Sequence, residues 1–384
     1  MNISFAVMAH PTRARLAQAV VDQLAPLECP VVLDPEPWGV PATLRTAARA
    51  WSEMPDDATH HVVLQDDVVL ASGFAEHVQA LVGAHPDRAV SLFTDWGSRN
   101  GMVLRIAAME GRQFATAIPQ YTPCQAMVMP RRLVQGFVEC AAAWDDPLEP
   151  DDNVLRKFFV EQGEELLLAV PNLVEHLPVR SVIGNDAQGR RAAACYVDRL
   201  PSAWFASDSG IGRYDTVAFL REARLWAYSR RTPDGEVHLP GTSAIEWHKA
   251  YIETCPELFG LDLDELLDHY RNDLGHLATD QIRASMTLVP PQALWSLWAA
   301  GYWLARTAGE NAATHSSDAL AIAAGLVRHE AIRTLIPGGL FPARTHATLS
   351  HSSGLLRPVL DLGLARGSAA HAQATSHQRI PQEV

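Results

Sequence analysis

The sequence predicts an α/β domain, a mostly parallel sheet with helices on both faces, followed by a mainly α-helical region. Three observations point there. Short β-like runs alternate with helical stretches through the first half of the chain, the pattern produced when crossover helices cover a parallel sheet. Past about residue 180 the alternation stops and longer helical periods take over. With 384 residues, 48% of them apolar, there is material for a sizeable core.

In order, residues 3–8, 30–33, 61–64, 89–93, 125–129 and 165–170 read as strands, each a short apolar run bounded by turn or polar residues. Residues 12–24, 41–51, 73–82, 131–143 and 152–162 carry apolar residues at helical spacing. Pro41 suits a first helical turn, and Asp151-Asp152 suits a helix start. The predicted organisation is a domain over residues 1–190, a mostly helical region over 191–366 and a flexible tail over 367–384, rich in Ala, His, Ser and Gln. In the second region, residues 215–228, 242–254, 263–272, 291–307 and 317–334 read as helices. Trp295, Trp298 and Tyr302 form an aromatic stripe along one of them, either a core face or a binding platform.

Thirty-one basic against 44 acidic residues leave a net charge of -13, which repels a phosphate backbone or an anionic membrane. The nearest basic cluster, residues 221–231, interleaves arginines with Glu222, Leu225 and Trp226 and reads as the exposed face of a helix. No nucleic-acid partner is expected. Five scattered cysteines without a C-x-x-C pair indicate a reduced compartment, and residues 293–305 are too short to span a bilayer. The N-terminus reads as a first strand rather than a signal peptide, so the expectation is a soluble cytoplasmic protein.

The sharpest local feature is His61-Val62-Val63-Leu64-Gln65-Asp66-Asp67, an apolar strand that ends in two adjacent carboxylates. Two readings fit the pair: a solvated turn or helix cap, or hard oxygen ligands for Mg²⁺ or Mn²⁺ at the carboxyl end of a strand, where open α/β sheets bind ligands.

Gln65-Asp66-Asp67 resembles the DXD or EDD motif of GT-A-type glycosyltransferases, and the pattern is most similar to inverting, family 2-like members. The resemblance spans roughly residues 1–190 and implies a Rossmann-like GT-A domain that uses a nucleoside diphosphate-sugar, with a UDP-sugar favoured. Gln65 departs from the family's usual acidic residue. By the same resemblance, Asp67 binds Mn²⁺ or Mg²⁺ directly, and Asp66 faces the donor ribose or shares the metal. The end of the first strand, with His10 and Arg13, is where such enzymes begin to hold the nucleotide, and Asp34 after the second strand matches a base or ribose contact. Arg45 and Arg49, four apart on one helix, suit phosphate or a pyrimidine carbonyl, or are ordinary surface charge.

Leu148-Glu149-Pro150-Asp151-Asp152 is similar to the family's "ED" element, which carries the catalytic base. Asp152 is the candidate base and Asp151 the cap, or the reverse. His176, after the last strands, matches a histidine that completes the metal site or contacts the diphosphate; residues 181–185 resemble a loop that closes over the donor. Trp96 and Gln125 fall where such domains build sugar and acceptor pockets. The function implied is metal-dependent, inverting transfer of a sugar to the hydroxyl of a small molecule, glycan or peptide. Two alternatives stand beside it: a nucleotidyltransferase that releases pyrophosphate, and a non-catalytic nucleotide- or sugar-binding module, which Gln65 keeps open. The chain lacks G-x-x-x-x-G-K-[ST], G-x-G-x-x-G after the first strand, H-E-x-x-H and G-x-S-x-G, which removes the usual support for kinase, dinucleotide oxidoreductase, zincin and α/β-hydrolase readings.

Overall fold

The computed structural model describes residues 1–119, 121–184, 186, 189–206, 210–229, 248–254, 262–309, 315–340 and 346–378. The chain opens with β1 (Ile3–Ala9), a 3-10 turn (Pro11–Arg13), α1 (Ala14–Leu24), β2 (Val31–Leu33), α2 (Leu44–Ser52), β3 (His60–Gln65), β4 (Val68–Leu70) and α3 (Phe74–Ala84). It continues with β5 (Val90–Ser91), α4 (Arg99–Met109), β6 (Phe114–Thr116), β7 (Ala126–Pro130), α5 (Arg131–Ala142), α6 (Asp151–Glu161), β8 (Leu167–Ala169) and β9 (Val174–His176). Beyond these lie β10 (Ile211–Gly212), β11 (Thr216–Arg221), β12 (Arg224–Ser229), β13 (His248–Tyr251), α7 (Leu263–Gly275), α8 (Thr279–Leu288), α9 (Pro291–Ala308), α10 (Asp318–Arg333), α11 (Leu335–Leu340) and α12 (His346–Gln378).

Eight strands form one sheet in the order β10-β6-β8-β5-β7-β3-β1-β2. β1 pairs in parallel with both β2 and β3, β5 with β8 and β10 with β6, while β7 runs antiparallel to β3 and β5, and β6 to β8. The central strands are buried on both faces, which is why β1 and β3 read as continuous apolar runs rather than alternating ones. From β1 the chain crosses to β2 on one side and then returns to β3 on the other. That reversal opens a crevice at the carboxyl ends of β1 and β3, where open α/β sheets bind ligands. Ala9-His10 and Gln65-Asp66 stand at its two lips.

The second region departs from expectation in three places. Residues 215–228, expected as a helix, form the β11–β12 hairpin, and β13 extends it into a three-stranded sheet. Residues 217–220 and 225–228 are short apolar runs without alternation, so periodicity alone does not separate strand from helix; Val217, Phe219, Trp226 and Tyr228 are the β-favouring signal. Its turn, Glu222-Ala223, has positive φ at both residues (53° and 62°) without the Gly or Asn that usually announces such a hairpin. The expected helix over 242–254 gives way to β13 and a 3-10 turn from residue 248, and residues 242–247 lie outside the described residues. The expected tail is helical through Gln378, with residues 379–384 outside the described residues.

Smaller shifts accompany these. Pro41 precedes α2 rather than starting it, with Thr43 at the N-cap. Helix α4 escaped notice because it is buried nearly all round and so has no amphipathic period. The aromatic stripe is core: Trp295, Trp298 and Tyr302 are at most 7% exposed, and Trp298 Nε1 donates to Asp273 Oδ2 at 3.1 Å. Helix α12 crosses α9 so closely that a Cβ on Gly363 would stand 2.0 Å from the Trp298 carbonyl oxygen. Among the described residues no helix is long and apolar enough to cross a membrane.

Candidate functional site

Asp66 and Asp67 follow β3 directly, at the lip of the crevice, and are 5% and 6% exposed. Two buried, adjacent carboxylates need compensation. It comes from three directions. The backbone N–H of His10, just past β1, donates to Asp66 Oδ2 at 3.1 Å. Arg13 Nη1 bridges the pair, 3.0 Å from Asp66 Oδ1 and 2.6 Å from Asp67 Oδ2. His176 Nε2 lies 3.4 Å from Asp67 Oδ2.

The histidine is brought there by a small sheet that the sequence reading missed. β4 pairs antiparallel with β9, setting Val68 opposite His176, and the Leu177 N–H donates to the Asp67 carbonyl at 2.8 Å. Three-residue strands are too short for a periodicity argument, so a pairing as distant as Val68 with His176 leaves no visible signal in the sequence.

The two carboxylates differ. Burial and then its neighbour's charge push Asp66 above the usual carboxylate range. Burial acts on Asp67 too, but His176 and then Arg13 outweigh it and hold Asp67 low, so Asp67 is the firmly ionised member. Its Oδ1 and the Nδ1 of His176 are buried without a hydrogen-bond partner among the described residues.

These features fit a divalent cation only in part. Among the described residues no three His, Cys, Asp or Glu side chains converge as a ligand set. An orphaned carboxylate oxygen beside an imidazole is what a Mg²⁺ or Mn²⁺ site needs from the protein when phosphate oxygens and water supply the other positions.

The pair opens into a cavity of about 1200 Å³. At the β1–β2 end it is lined by His10, Arg13 and Asp34, and on the other side of β3 by Gln125, just before β7. His10 Nε2 is 2.9 Å from the Pro37 carbonyl and Nδ1 is 2.7 Å from Thr12 Oγ1, which fixes the ring over the crevice. Asp34 and Arg45 form a two-pronged pair, Nε to Oδ1 at 2.7 Å and Nη2 to Oδ2 at 2.9 Å, which depresses Asp34. The Arg45 fork is therefore spent on Asp34 and on the Val40 and Glu36 carbonyls, and the side chain does not line the cavity. Arg49 is exposed in the last turn of α2 and also stands outside the lining, as ordinary surface charge would. Gln125 Nε2 donates to Tyr121 Oη at 3.3 Å, and its Oε1 is buried without a hydrogen-bond partner among the described residues.

Asp151 and Asp152 occupy the first turn of α6, behind an N-cap at Pro150, so neither is the cap. They divide otherwise. Asp151 is 5% exposed, with Cys124 Sγ 3.4 Å from Oδ2 and its own N–H donating to Thr43 Oγ1 at 3.0 Å. Asp152 is half-buried on the cavity wall. Burial and the adjacent Asp151 push it up to about 6. A carboxylate with that value is ionised at neutral pH yet basic enough to accept a proton.

A further wall went unread in the sequence. Residues 192–194 run beside 94–96: the Trp96 N–H donates to the Ala192 carbonyl at 2.9 Å, and Ala194 to Thr94 at 2.7 Å. This pairing sets Arg190 and Arg191 next to Asp95 and Trp96 at the cavity, and Trp96 Nε1 donates to the Arg190 carbonyl at 2.9 Å. Trp96 is 6% exposed and also packs on Gly338 of α11. Of the expected closing loop, Ser181, Val182 and Ile183 line the cavity and Asn185 lies outside the described residues. Arg13 Nη2 ties this segment down by donating to the Arg180 carbonyl.

No protein-family model matches the sequence, and no curated protein matches it.

Proposed function

We propose that this chain is a glycosyltransferase that moves a sugar from a nucleoside diphosphate-sugar to an acceptor hydroxyl, with inversion at C1. The observation that carries the reading is the meeting of Asp67 and His176, 3.4 Å apart at the carboxyl end of β3, in the same cavity as a carboxylate raised to about 6, Asp152. The order of these groups along the chain supports it as well.

On this reading the nucleotide lies along the β1–β2 end, past His10 and Asp34, and its diphosphate reaches Asp66 and Asp67. Asp67 and His176 would hold Mn²⁺ or Mg²⁺, which, when bound, neutralises charge growing on the leaving diphosphate. Asp152 accepts the proton of the acceptor hydroxyl as its oxygen attacks C1, and the bond from C1 to the phosphate oxygen breaks. Trp96 and the residues around it would form the wall against which sugar and acceptor are oriented.

The test is thermal stabilisation of the full chain by UDP, GDP, CDP and their sugars, with and without Mn²⁺, followed by product analysis. A ligand at a hundred times its dissociation constant adds about 2.7 kcal/mol. Stabilisation by a nucleoside diphosphate only with metal, and release of that diphosphate on turnover, is expected. Release of pyrophosphate from a triphosphate would replace the reading with nucleotidyl transfer.

A further inference from the structure

The chain carries a net charge of -13, yet one wall of its cavity is arginine-rich. Arg190 and Arg191 come from the segment paired with residues 94–96, Arg99 from the first turn of α4, and Arg221 from the end of β11. Arg99 stacks over Tyr228 at 4.7 Å, but the partners of the other three are incomplete. Arg190 stacks its guanidinium over Trp96 at 5.6 Å, but its Nε is buried with no hydrogen-bond partner among the described residues. Arg191, half-buried, makes no hydrogen bond or ion pair among the described residues. Arg221 is only loosely paired, 3.5 Å from its neighbour Glu222.

The backbone that presents Arg221 is itself constrained. The hairpin tip holds Glu222 and Ala223 at positive φ, which non-glycine residues seldom adopt, and the Ala223 N–H is anchored to the Gly339 carbonyl at 3.1 Å. A strained turn pinned in place beside a cavity fixes where its flanking side chains stand.

Arg191 stands apart from the metal end, whereas the charge of Arg190 also reaches Glu175, the residue before His176. The charge of Arg191 is felt by Asp95 and by Asp152, whereas Asp66 and Asp67 are compensated by Arg13, His10 and His176. Asp95 feels Arg191, Arg221 and His176, which places it between the two ends. An unpartnered guanidinium fork in the same cavity as the proposed base matches a carboxylate or phosphate on the molecule that the base would deprotonate.

We propose that the acceptor is anionic, and that Arg191 and Arg190, with Arg221 at the turn, bind its carboxylate or phosphate so that a hydroxyl faces Asp152. This rests on the glycosyltransferase reading for the word acceptor, but the anion site itself is tested without it.

The experiment titrates inorganic phosphate, glucose and glucose 6-phosphate into the full chain, both nucleotide-free and loaded with the stabilising nucleoside diphosphate and Mn²⁺. Glucose 6-phosphate is expected to bind the loaded protein at least tenfold more tightly than glucose. Arg191→Gln is expected to remove that preference while the nucleoside diphosphate affinity stays within twofold, and Arg191→Lys to restore part of it. Arg221→Gln gives a second reading at a more exposed position. Equal binding of glucose and glucose 6-phosphate, or a preference untouched by both Gln variants, overturns the proposal. So does loss of phosphate binding on loading with nucleotide, since the arginines then hold the donor diphosphate. A shift in the choice between UDP-glucuronate and UDP-glucose on Arg191→Gln assigns the anion to the donor sugar, and equally overturns it. Failure of every nucleotide to bind would remove the parent reading, while phosphate binding to the nucleotide-free protein and its loss in Arg191→Gln would still establish the anion site.

Discussion

Arg13 Nη1 stands 2.6 Å from Asp67 Oδ2, so the acidic pair at the end of β3 already holds a cation supplied by the chain. The guanidinium reaches both carboxylates and ties the 177–183 segment through the Arg180 carbonyl. A metal ion approaching Asp67 must share this charge or displace it.

Replacing Arg13 with Gln is therefore expected to destabilise the metal-free protein by on the order of 3 kcal/mol, because two buried like charges lose their counterion. The same change is expected to strengthen Mn²⁺ binding. In thermal melts, Mn²⁺ should raise the midpoint of Arg13→Gln more than that of the parent chain. An equal or smaller rise would show that Arg13 and the cation do not compete for Asp67.

Asp67→Asn keeps the side-chain shape and removes the firmly ionised oxygen beside His176. On the proposed function, metal-dependent transfer is expected to fall by about 100-fold or more, since the charge stabilisation the cation would supply to the leaving group is lost. Far-ultraviolet circular dichroism should be unchanged. Full activity in this variant would end the assignment of Asp67 as the metal-holding residue.

The parts of this site that could be read from sequence are those where local chemistry is unusual for its element. Asp66 and Asp67 interrupt a buried apolar strand, and Asp151 and Asp152 open a helix, so both pairs stand out without a structure. Arg45 illustrates the limit: its spacing from Arg49 on α2 was visible, but its engagement by Asp34 depends on the approach of the loop after β2. Arg190 and Arg191 carried no signal, because their placement comes from pairing between segments about 100 residues apart. The β11–β12 hairpin looks helical in sequence for a local reason, two short unalternating apolar runs joined by a turn without glycine. Helices α9 and α10 fell where helical spacing put them, whereas α12 is built from small residues whose role is close approach rather than amphipathicity.

That close approach gives a stability prediction remote from the site. A methyl group on Gly363 would meet the Trp298 carbonyl oxygen at 2.0 Å, and both partners are backbone or rigidly buried. Gly363→Ala is expected to cost about 1–3 kcal/mol or more by forcing α9 and α12 apart. Gly354→Ala, on the same helix with open space around it, is expected to be neutral or slightly stabilising through helix propensity. Denaturant melts of the two variants would separate steric overlap from a general intolerance of α12 to substitution; equal losses would reject the packing explanation.

On the proposed function, the pH dependence follows from Asp152. With its carboxyl raised to about 6, the proton-accepting form prevails above that pH and is lost below it. The rate of transfer at low donor and acceptor is expected to be flat from about pH 7 upward on this limb and to fall about tenfold per pH unit below 6. Stability should run the opposite way. A carboxyl whose folded value lies above its unfolded one binds its proton more tightly in the native state, so its contribution is most favourable at low pH and is lost as pH rises through about 4 to 6. Asp152→Asn, which removes the charge, should then raise the melting midpoint at pH 8 relative to the parent chain and change it little at pH 4, while transfer is lost and nucleoside diphosphate binding is retained. A variant that still transfers sugar, or a parent profile without a step near pH 6, would take the role of base away from Asp152.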